Sequence, residues 1–388
     1  MSGTPTGKLT IVPAVTAEER KEFVRFPWQV YEGDPYWVPP LLSERDEFVD
    51  PDRHPFHEHA KVQYFTARRD GQIVGTIAAI ENFSHNEYWN DKVGFFGLFE
   101  VLQDEEAARE LLRTAEAALR DDGFEACRGP MNFSQNEECG LLIDGWNGPP
   151  VAMMTYNPRY YAPYIESAGY TKAQDLLAFL ADLRHVKTDG TGVNPKMLRV
   201  SNRARERADV TVRPINMRDF KTDAGYFKEV YNQAWSKNWG FVPLTEAELA
   251  HEVTGLKPII DPPTVFFMFK GDRPIAAGLP IPDVNQALHL AYPRPNVPEW
   301  WTMAKMLYYW KIKKVVTTIR AFAGGVVEEY RGQGLHAILM TETLRRCVPT
   351  YKDIEFSWVL ESNTMMRSTA TNMGGEIYRT YRVYEKPL

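Results

Sequence analysis

The chain is poor in cysteine. Three residues in 388, Cys127, Cys139 and Cys347, are odd in number and follow no ligand or redox spacing. That excludes a disulfide framework and points to a reducing, cytoplasmic setting. Long apolar runs are missing too, and nothing approaches the ~20 residues of a membrane-crossing helix. The polar start, MSGTPTGKLT, lacks the apolar core of a secretory leader. Positive charge is in deficit: 45 Lys and Arg against 51 Asp and Glu leave a net charge of −6, which argues against nucleic acid as a partner. No Cys or Ser stands in a recognisable nucleophile arrangement, so a covalent intermediate on the enzyme is not expected. His54, His57 and His59 crowd together in HPFHEHA, but no Cys or carboxylate joins them at zinc-ligand spacing. They read as loop or strand-entry residues, and no metal is expected.

What is present is ordinary in bulk and unusual in one respect. Apolar residues make up 44% and charged residues 25%, the usage of a soluble globular chain long enough for two domains. Aromatic residues reach 13%, with ten Trp, which suggests large apolar surfaces or a greasy pocket.

Thr16-x-x-Glu19 is a capping-box signature for a short helix through Val24. Phe26 to Phe56 is dense in Pro, Trp and Tyr and reads as an ordered loop with aromatic anchors. Val62 to Arg68, Asp70-Gly71 and Ile73 to Ile80 form a hairpin signal. A strand, Val93 to Val101, leads into a helix from Glu105 to Arg120 that stops at Gly123. Gly129 to Pro150 is rich in Gly, Asn and Pro and reads as a long shaped loop. Asn157 to Tyr170 reads as a helix, and Leu176 to Leu180 as an apolar strand. Residues 184–209 are polar, with Arg199, Arg203, Arg205 and Arg207, and read as a linker whose charges are either solvated or directed at a phosphate.

From Val210 the pattern begins again: a strand to Ile215, a helix from Asp219 to Trp235, and a second capping box at Thr245-x-x-Glu248. A second hairpin, Val265 to Phe269 and Ile275 to Pro282, turns at Gly271-Asp272. FMFKGDRPIAAG lies over FTARRDGQIVGT, and Asn363 to Gly374 repeats Asn157 to Gly169 at nearly the same offset. Such a shared spacing indicates a tandem duplication of one α/β unit.

The most informative stretch is IRAFAGGVVEEYRGQGLHAILMTETLRRCV, Ile319 to Val348. A short strand with a Gly324-Gly325 pair turns through Arg331-Gly332-Gln333-Gly334 into a helix marked by Leu335, Ile338, Leu339 and Leu344. Strand, glycine turn and helix N-terminus make an anion cradle, because first-turn N–H groups lack partners and the helix dipole favours negative charge. The string Tyr330-Arg331-Gly332-x-Gly334-Leu335 after a strand resembles motif A of the GNAT (Gcn5-related N-acetyltransferase) superfamily.

The resemblance implies two tandem GNAT-like α/β domains, each a mixed, mainly antiparallel sheet flanked by helices. They would cover 8–183 and 210–388, joined by the linker. It implies acyl-CoA as co-substrate, held by Val326, Val327, Arg331, Gly332, Gln333, Gly334, Leu335, His336 and Asn363. One departure is His336, which stands where the family usually has a small residue and could donate to phosphate or crowd it. The first half runs from Glu100 to Asp104 and its helix without an RGxG turn, so it is expected to have lost acyl-CoA binding.

An N-acyltransferase must take a proton from an ammonium and stabilise an oxyanion. The resemblance places Glu361, at the end of the strand Ile354 to Leu360, beside the thioester, with Glu328 and Tyr378 as further catalytic candidates. The family's usual Tyr general acid is Ala370 here. Glu100, Asn132, Asn136 and Glu137 are the substrate-side candidates. Glu299 to Val316 sets Trp, Tyr and Lys around an apolar stripe, which suits a membrane interface, an acyl-chain groove or a buried helix. The tandem layout, GPMNFSQNEECGLLIDGW and the YRVYEKPL ending look like the bacterial ceramide-synthase type, which acylates a sphingoid amine from acyl-CoA. The expected partner is a small-molecule or lipid amine, with peripheral membrane contact kept open. The alternatives are an inactive acyl-CoA or lipid binder and an aminoacyl-tRNA-dependent transferase.

Overall fold

The computed structural model describes residues 7–388; the first six residues of the polar start lie outside them. In chain order the first half gives β1 (Leu9–Pro13), α1 (Ala17–Arg25), α2 (Pro27–Val30), α3 (Leu42–Phe48), β2 (Ala60–Arg69), β3 (Gln72–Asn82), α4 (Phe83–Trp89), β4 (Val93–Val101), α5 (Glu105–Asp121), β5 (Ala126–Gly129), β6 (Leu141–Asp144), α6 (Tyr161–Ser167) and β7 (Thr171–Asp182). The second gives α7 (Pro195–Arg207), β8 (Thr211–Pro214), α8 (Phe220–Ala234), α9 (Glu246–Leu256), β9 (Phe266–Lys270), β10 (Arg273–Pro282), α10 (Asn285–Ala291), α11 (Glu299–Leu307), β11 (Thr318–Val326), α12 (Leu335–Cys347), β12 (Asp353–Leu360), α13 (Thr364–Asn372) and β13 (Glu376–Pro387).

These elements form two compact units. One holds the chain up to Asp175, Ala287–Tyr308 and Thr380–Leu388; the other holds Leu176–Gln286 and Tyr309–Arg379. In the first unit the strand order is β1-β2-β3-β4-β5-β13, antiparallel except for parallel β4 and β5, and β6 also pairs with β13. In the second it is β7-β12-β11-β10-β9-β8, antiparallel except for parallel β11 and β12. Hairpin, central strand, parallel strand and closing strand recur in the same order, which is the tandem duplication in three dimensions. The closing strands are exchanged: β13, from the end of the second half, pairs with β5, and β7, from the end of the first, pairs with β12. The compact units therefore do not follow a division at 184–209.

The hairpin turns form where the sequence puts them, with Asp70 and Gly71 at φ 47° and 87° and Gly271 at φ 58°. Both capping boxes form, at Thr16 with Glu19 and at Thr245 with Glu248. The first unit's core packs α5 on β2, β3 and β4 through Leu111, Leu112, Ala115 and Leu119. In the second unit α8 packs Val230 and Ala234 against Phe267, Phe269 and Ala277.

Three local expectations need correction. Residues 184–209 contain α7, which packs along α12: Ser201 Oγ and Thr341 Oγ1 lie 2.7 Å apart, and Arg205 donates to Glu342 at 2.8 Å. Its packed face is made of small residues, Ser201 and Ala204, so no apolar period announces it. The aromatic segment before Phe56 is not one loop but contains α2 and α3. The helix expected from Asn157 begins only at Tyr161, because the Asn157 amide pairs with β6, accepting the Leu142 N–H at 2.7 Å and donating to the Leu142 carbonyl at 3.1 Å.

Candidate active site

In the second unit, β11 ends at Val326, a single 3-10 turn covers Glu328–Tyr330, and α12 starts after Gly334. Gly332 and Gly334 hold φ of 79° and 81°, left-handed values that glycine adopts at least cost. Among the described residues no side chain caps α12. Among the described residues, the N–H groups of Gly332, Gly334, Leu335 and His336 make no hydrogen bond. Space above Gly332 is open, for a Cβ there would meet nothing within 4 Å. Gly334 instead faces α7, where a Cβ would lie 2.8 Å from that of Ala204. A helix N-terminus with bare N–H groups is a site for a phosphate, and these residues fit the pyrophosphate of acyl-CoA.

The side chains around the turn are less free than the sequence suggests. Arg331 donates to the carbonyls of Val326 at 3.2 Å and Ala234 at 2.5 Å, tying β11 to α8. Burial and neighbouring Arg331 lower the His336 pKa, so the ring is neutral, and both ring nitrogens are enclosed without a partner among the described residues. Its backbone N–H is what it adds to the turn. Val326, Val327 and Leu335 are buried.

Beside the turn, β11 pairs with β12 only over Thr318–Arg320. From Ala321 onward the β12-facing edge of β11 carries no ladder partner among the described residues, and Ala321, Phe322, Ala323 and Gly324 are half-buried. An unpaired edge of N–H and C=O groups suits an extended amide chain such as pantetheine.

The first unit closes both features. Asp104 caps α5, accepting the Ala107 N–H at 3.0 Å, with Glu105 and Glu106 in the first turn. Burial alone would raise the Asp104 carboxyl; the hydrogen bonds from Arg69, at 2.5 and 3.0 Å, outweigh it and hold the group ionised. An anion is thus already in place at that helix start. Likewise β4 pairs with β5 only over Val93–Phe95, but the gap beyond is filled. The Met131 N–H donates to the Phe96 carbonyl at 2.8 Å, and Asn132 Oδ1 accepts the N–H of Leu98 at 2.8 Å, where φ is 47°. A Cβ on Gly97 would lie 2.0 Å from the Met131 carbonyl oxygen. Asn132 also donates to Glu138 at 3.1 Å. Asn132→Ala would leave the Leu98 N–H without its acceptor and is expected to cost about 1–3 kcal/mol in urea denaturation. An unchanged midpoint would show that the plug is not held this way.

Glu100, at the end of β4, is the centre of a polar cluster in the first unit. Tyr31 donates to it at 2.9 Å and Tyr161 at 2.7 Å. Burial pushes the Glu100 carboxyl up to about 7, against the pull of the two phenols. Arg45 and Glu138 form an ion pair at 2.6 Å in the same unit. Asn136 donates its N–H to Ser134 Oγ at 3.1 Å, and Glu137 lies 4.0 Å from His54 Nε2.

In the second unit, Tyr378 donates to Glu355 at 3.2 Å, and Ser357 donates to the other oxygen at 2.7 Å. Glu355, Arg320 and Arg379 are all buried. Burial raises the Glu355 pKa, opposed by Arg320. Tyr378 is therefore anchored to a buried carboxylate. Glu328 sits on the surface in an ion pair with Lys237 at 2.6 Å, which lowers its pKa. Asn363 caps α13, accepting the Met366 N–H at 3.0 Å. Glu361 follows β12 and accepts from Arg367 through its backbone carbonyl at 3.1 Å. Sequence reasoning missed Tyr31, Tyr161, Arg45, Glu138 and Glu355. The only signal for Glu355 was a charge inside an apolar strand run; the others come together from distant segments.

Among the described residues no group of His, Cys, Asp or Glu could hold a metal ion, and no helix is long and apolar enough to cross a membrane.

No family model matches the sequence. The chain is 35% identical over 386 residues to a protein of Caulobacter vibrioides named bacterial ceramide synthase, covering 98% of each chain. It is 34% identical over 373 residues to protein YghO of Escherichia coli, covering 95% of this chain and 93% of that protein. Among solved structures, a tandem GNAT protein from the clavulanic acid biosynthesis pathway superposes with a TM-score of 0.56 at 12% identity, over 98% of both chains. A GCN5-related glucosamine N-acetyltransferase region of a fungal multi-domain β-N-acetylglucosaminidase gives 0.54 at 14% identity, over 98% of this chain and 38% of that one. These two likenesses concern the fold.

Proposed function

The chain belongs to the family of the Caulobacter bacterial ceramide synthase, with a tandem GNAT fold, and on that premise we propose that it moves an acyl group from acyl-CoA to a primary amine. The amine we propose is hydrophobic and long-chain, of the sphingoid kind. The observation that carries the reading is the uncapped start of α12, where Gly332, Gly334, Leu335 and His336 leave N–H groups free beside an unpaired stretch of β11. Bound there, acyl-CoA supplies an activated thioester.

The rest is the work of the chain. The turn would grip the pyrophosphate, and the free edge of β11 would align the pantetheine amides. Transfer would be direct: burial pushes the thiols of Cys127 and Cys139 up to about 12, and buried Cys347 is raised as well, so no thiolate is at hand. For the amine we propose Glu100 as the carboxylate that meets the ammonium, with Asn132, Asn136 and Glu137 shaping the loop nearby. Glu361 is proposed to act near the thioester. Glu328 and Tyr378 retain only supporting parts, given their ion pair and their buried anchor.

Thermal unfolding with CoA, acetyl-CoA and palmitoyl-CoA tests the reading, because a ligand bound only by the native state stabilises it by about 2.7 kcal/mol at a hundred times Kd. The expected order is palmitoyl-CoA above acetyl-CoA, followed by CoA release when long-chain amines are added. No shift with any of the three overturns the proposal. A shift without turnover on any amine leaves an acyl-CoA binder.

A pH profile isolates Glu100. Its ionised form accumulates as pH rises through about 7, so activity is expected to climb over that range. Glu100→Gln should remove the climb and cost about 10²- to 10⁴-fold in kcat. Stability moves the other way. A carboxyl raised in the folded state holds its proton more tightly there, so its contribution is present below the ordinary carboxylate range and lost as pH rises to about 7. Urea melts should show Glu100→Gln gaining on the wild type at pH 8 relative to pH 5. A profile identical in both proteins removes Glu100 from the reaction.

A further inference from the structure

Helix α11 is amphipathic the wrong way round for a soluble protein. Its inner side is held: the Ser43 N–H donates to Glu299 at 3.0 Å, and Lys305 donates to the Ala291 carbonyl at 2.5 Å. Thr302 and Met306 are buried. Outward it shows Trp300, 71% exposed, Trp301, 50%, and Leu307 and Tyr308, 46% each, at positions that share one helical face. Burial was one reading of this segment, and the exposed Trp pair removes it. A soluble surface seldom gathers large apolar side chains in one contiguous patch.

The chain continues through one π-helical turn, Tyr308–Ile312, into exposed Lys311, Ile312, Lys313 and Lys314. Residues 300–316 contain four Lys and no acidic residue, within a chain whose net charge is −6. The basic charge is therefore local, and it follows the aromatic residues directly in the chain.

We infer that α11 with its lysine-bearing end is a membrane-surface element that docks on an anionic lipid bilayer. Trp and Tyr suit the headgroup boundary because each has an apolar body and a polar tip. A nine-residue helix is too short to span and lies in the interface plane. The lysines match the negative surface potential. Charge also decides against a second copy of this chain, for a two-fold contact through this face would set lysines against lysines. The inference is independent of the transfer reaction and stands or falls separately.

The test is co-sedimentation of the full chain with vesicles of phosphatidylglycerol or phosphatidylcholine, at low and high salt. Tight binding to the anionic vesicles is expected, weakened by salt and on the order of 100-fold weaker after Lys311, Lys313 and Lys314 are changed together to Gln, at about fivefold per lysine. Trp300→Gln with Trp301→Gln should abolish binding to both vesicle types while the melting temperature stays within a few degrees. Absence of binding by the wild type, or binding untouched by both variants, overturns the inference. So does a concentration-dependent dimer that the Trp variant turns into a monomer.

Discussion

A chain ending at Arg379 is expected to lose the first unit, although the deleted residues belong to the second half of the sequence. Thr380 to Leu388 place Tyr381, Val383 and Tyr384 in the core, all at 1% exposure or less. They give β5 and β6 their partner strand. Lys386 reaches buried Glu116 at 2.8 Å, and Arg382 pairs with Asp175 at 2.7 Å. Removing one large core side chain costs about 3–5 kcal/mol, and three of them match the ~5–15 kcal/mol that holds a typical domain together. By the same reasoning residues 8–183 and 210–388, expressed separately, should give no cooperative melt. Co-expressed halves should recover one, because each strand can be donated in trans. Circular dichroism and urea titration of the separate halves decide the matter. A cooperative transition from 8–183 alone would show that β13 is dispensable.

Gly332→Asp is expected to lower CoA affinity by about 10²-fold or more. The new carboxylate would stand over the bare N–H groups of α12, capping them and repelling the pyrophosphate, much as Asp104 occupies the start of α5. Charge-assisted hydrogen bonds contribute about 1.5–3 kcal/mol each, so losing two of them gives that magnitude. The φ of 79° at this position strains most side chains but is tolerated by Asn. Gly332→Asn thus reproduces size and backbone cost without the charge, and it should lose only a few-fold. Calorimetric titration with CoA separates the two variants. Equal affinities would mean that the turn does not hold the phosphates.

How much of this was legible beforehand varies by element. The hairpins, the capping boxes, β4 with α5 and the strand–turn–helix around Gly332 were readable, because each is set by residues within a few positions of one another. Left-handed glycines, Asp-Gly turns and amphipathic periods act at short range, and they fixed the family resemblance too. Helix α7 was missed because it packs through Ser201 and Ala204 on α12, a face without large apolar residues. Asn132 reads as a substrate-side group, and its bonds to Leu98 and Glu138, made across the fold, had no signal in the sequence. The exposed Trp pair of α11 was ambiguous, since an outward and an inward apolar stripe have the same period.

By itself the sequence determined that an α/β unit is repeated and that the Arg331-Gly332-Gln333-Gly334 turn stands in the second copy and not in the first. Tertiary structure alone decided which strands close each sheet, which loop fills the gap beside β4, and that Tyr31 and Tyr161 converge on Glu100. The reason is range. Backbone conformation and capping depend on neighbours in the chain, whereas strand partners and the protonation of a half-buried carboxylate depend on whatever the fold brings beside them.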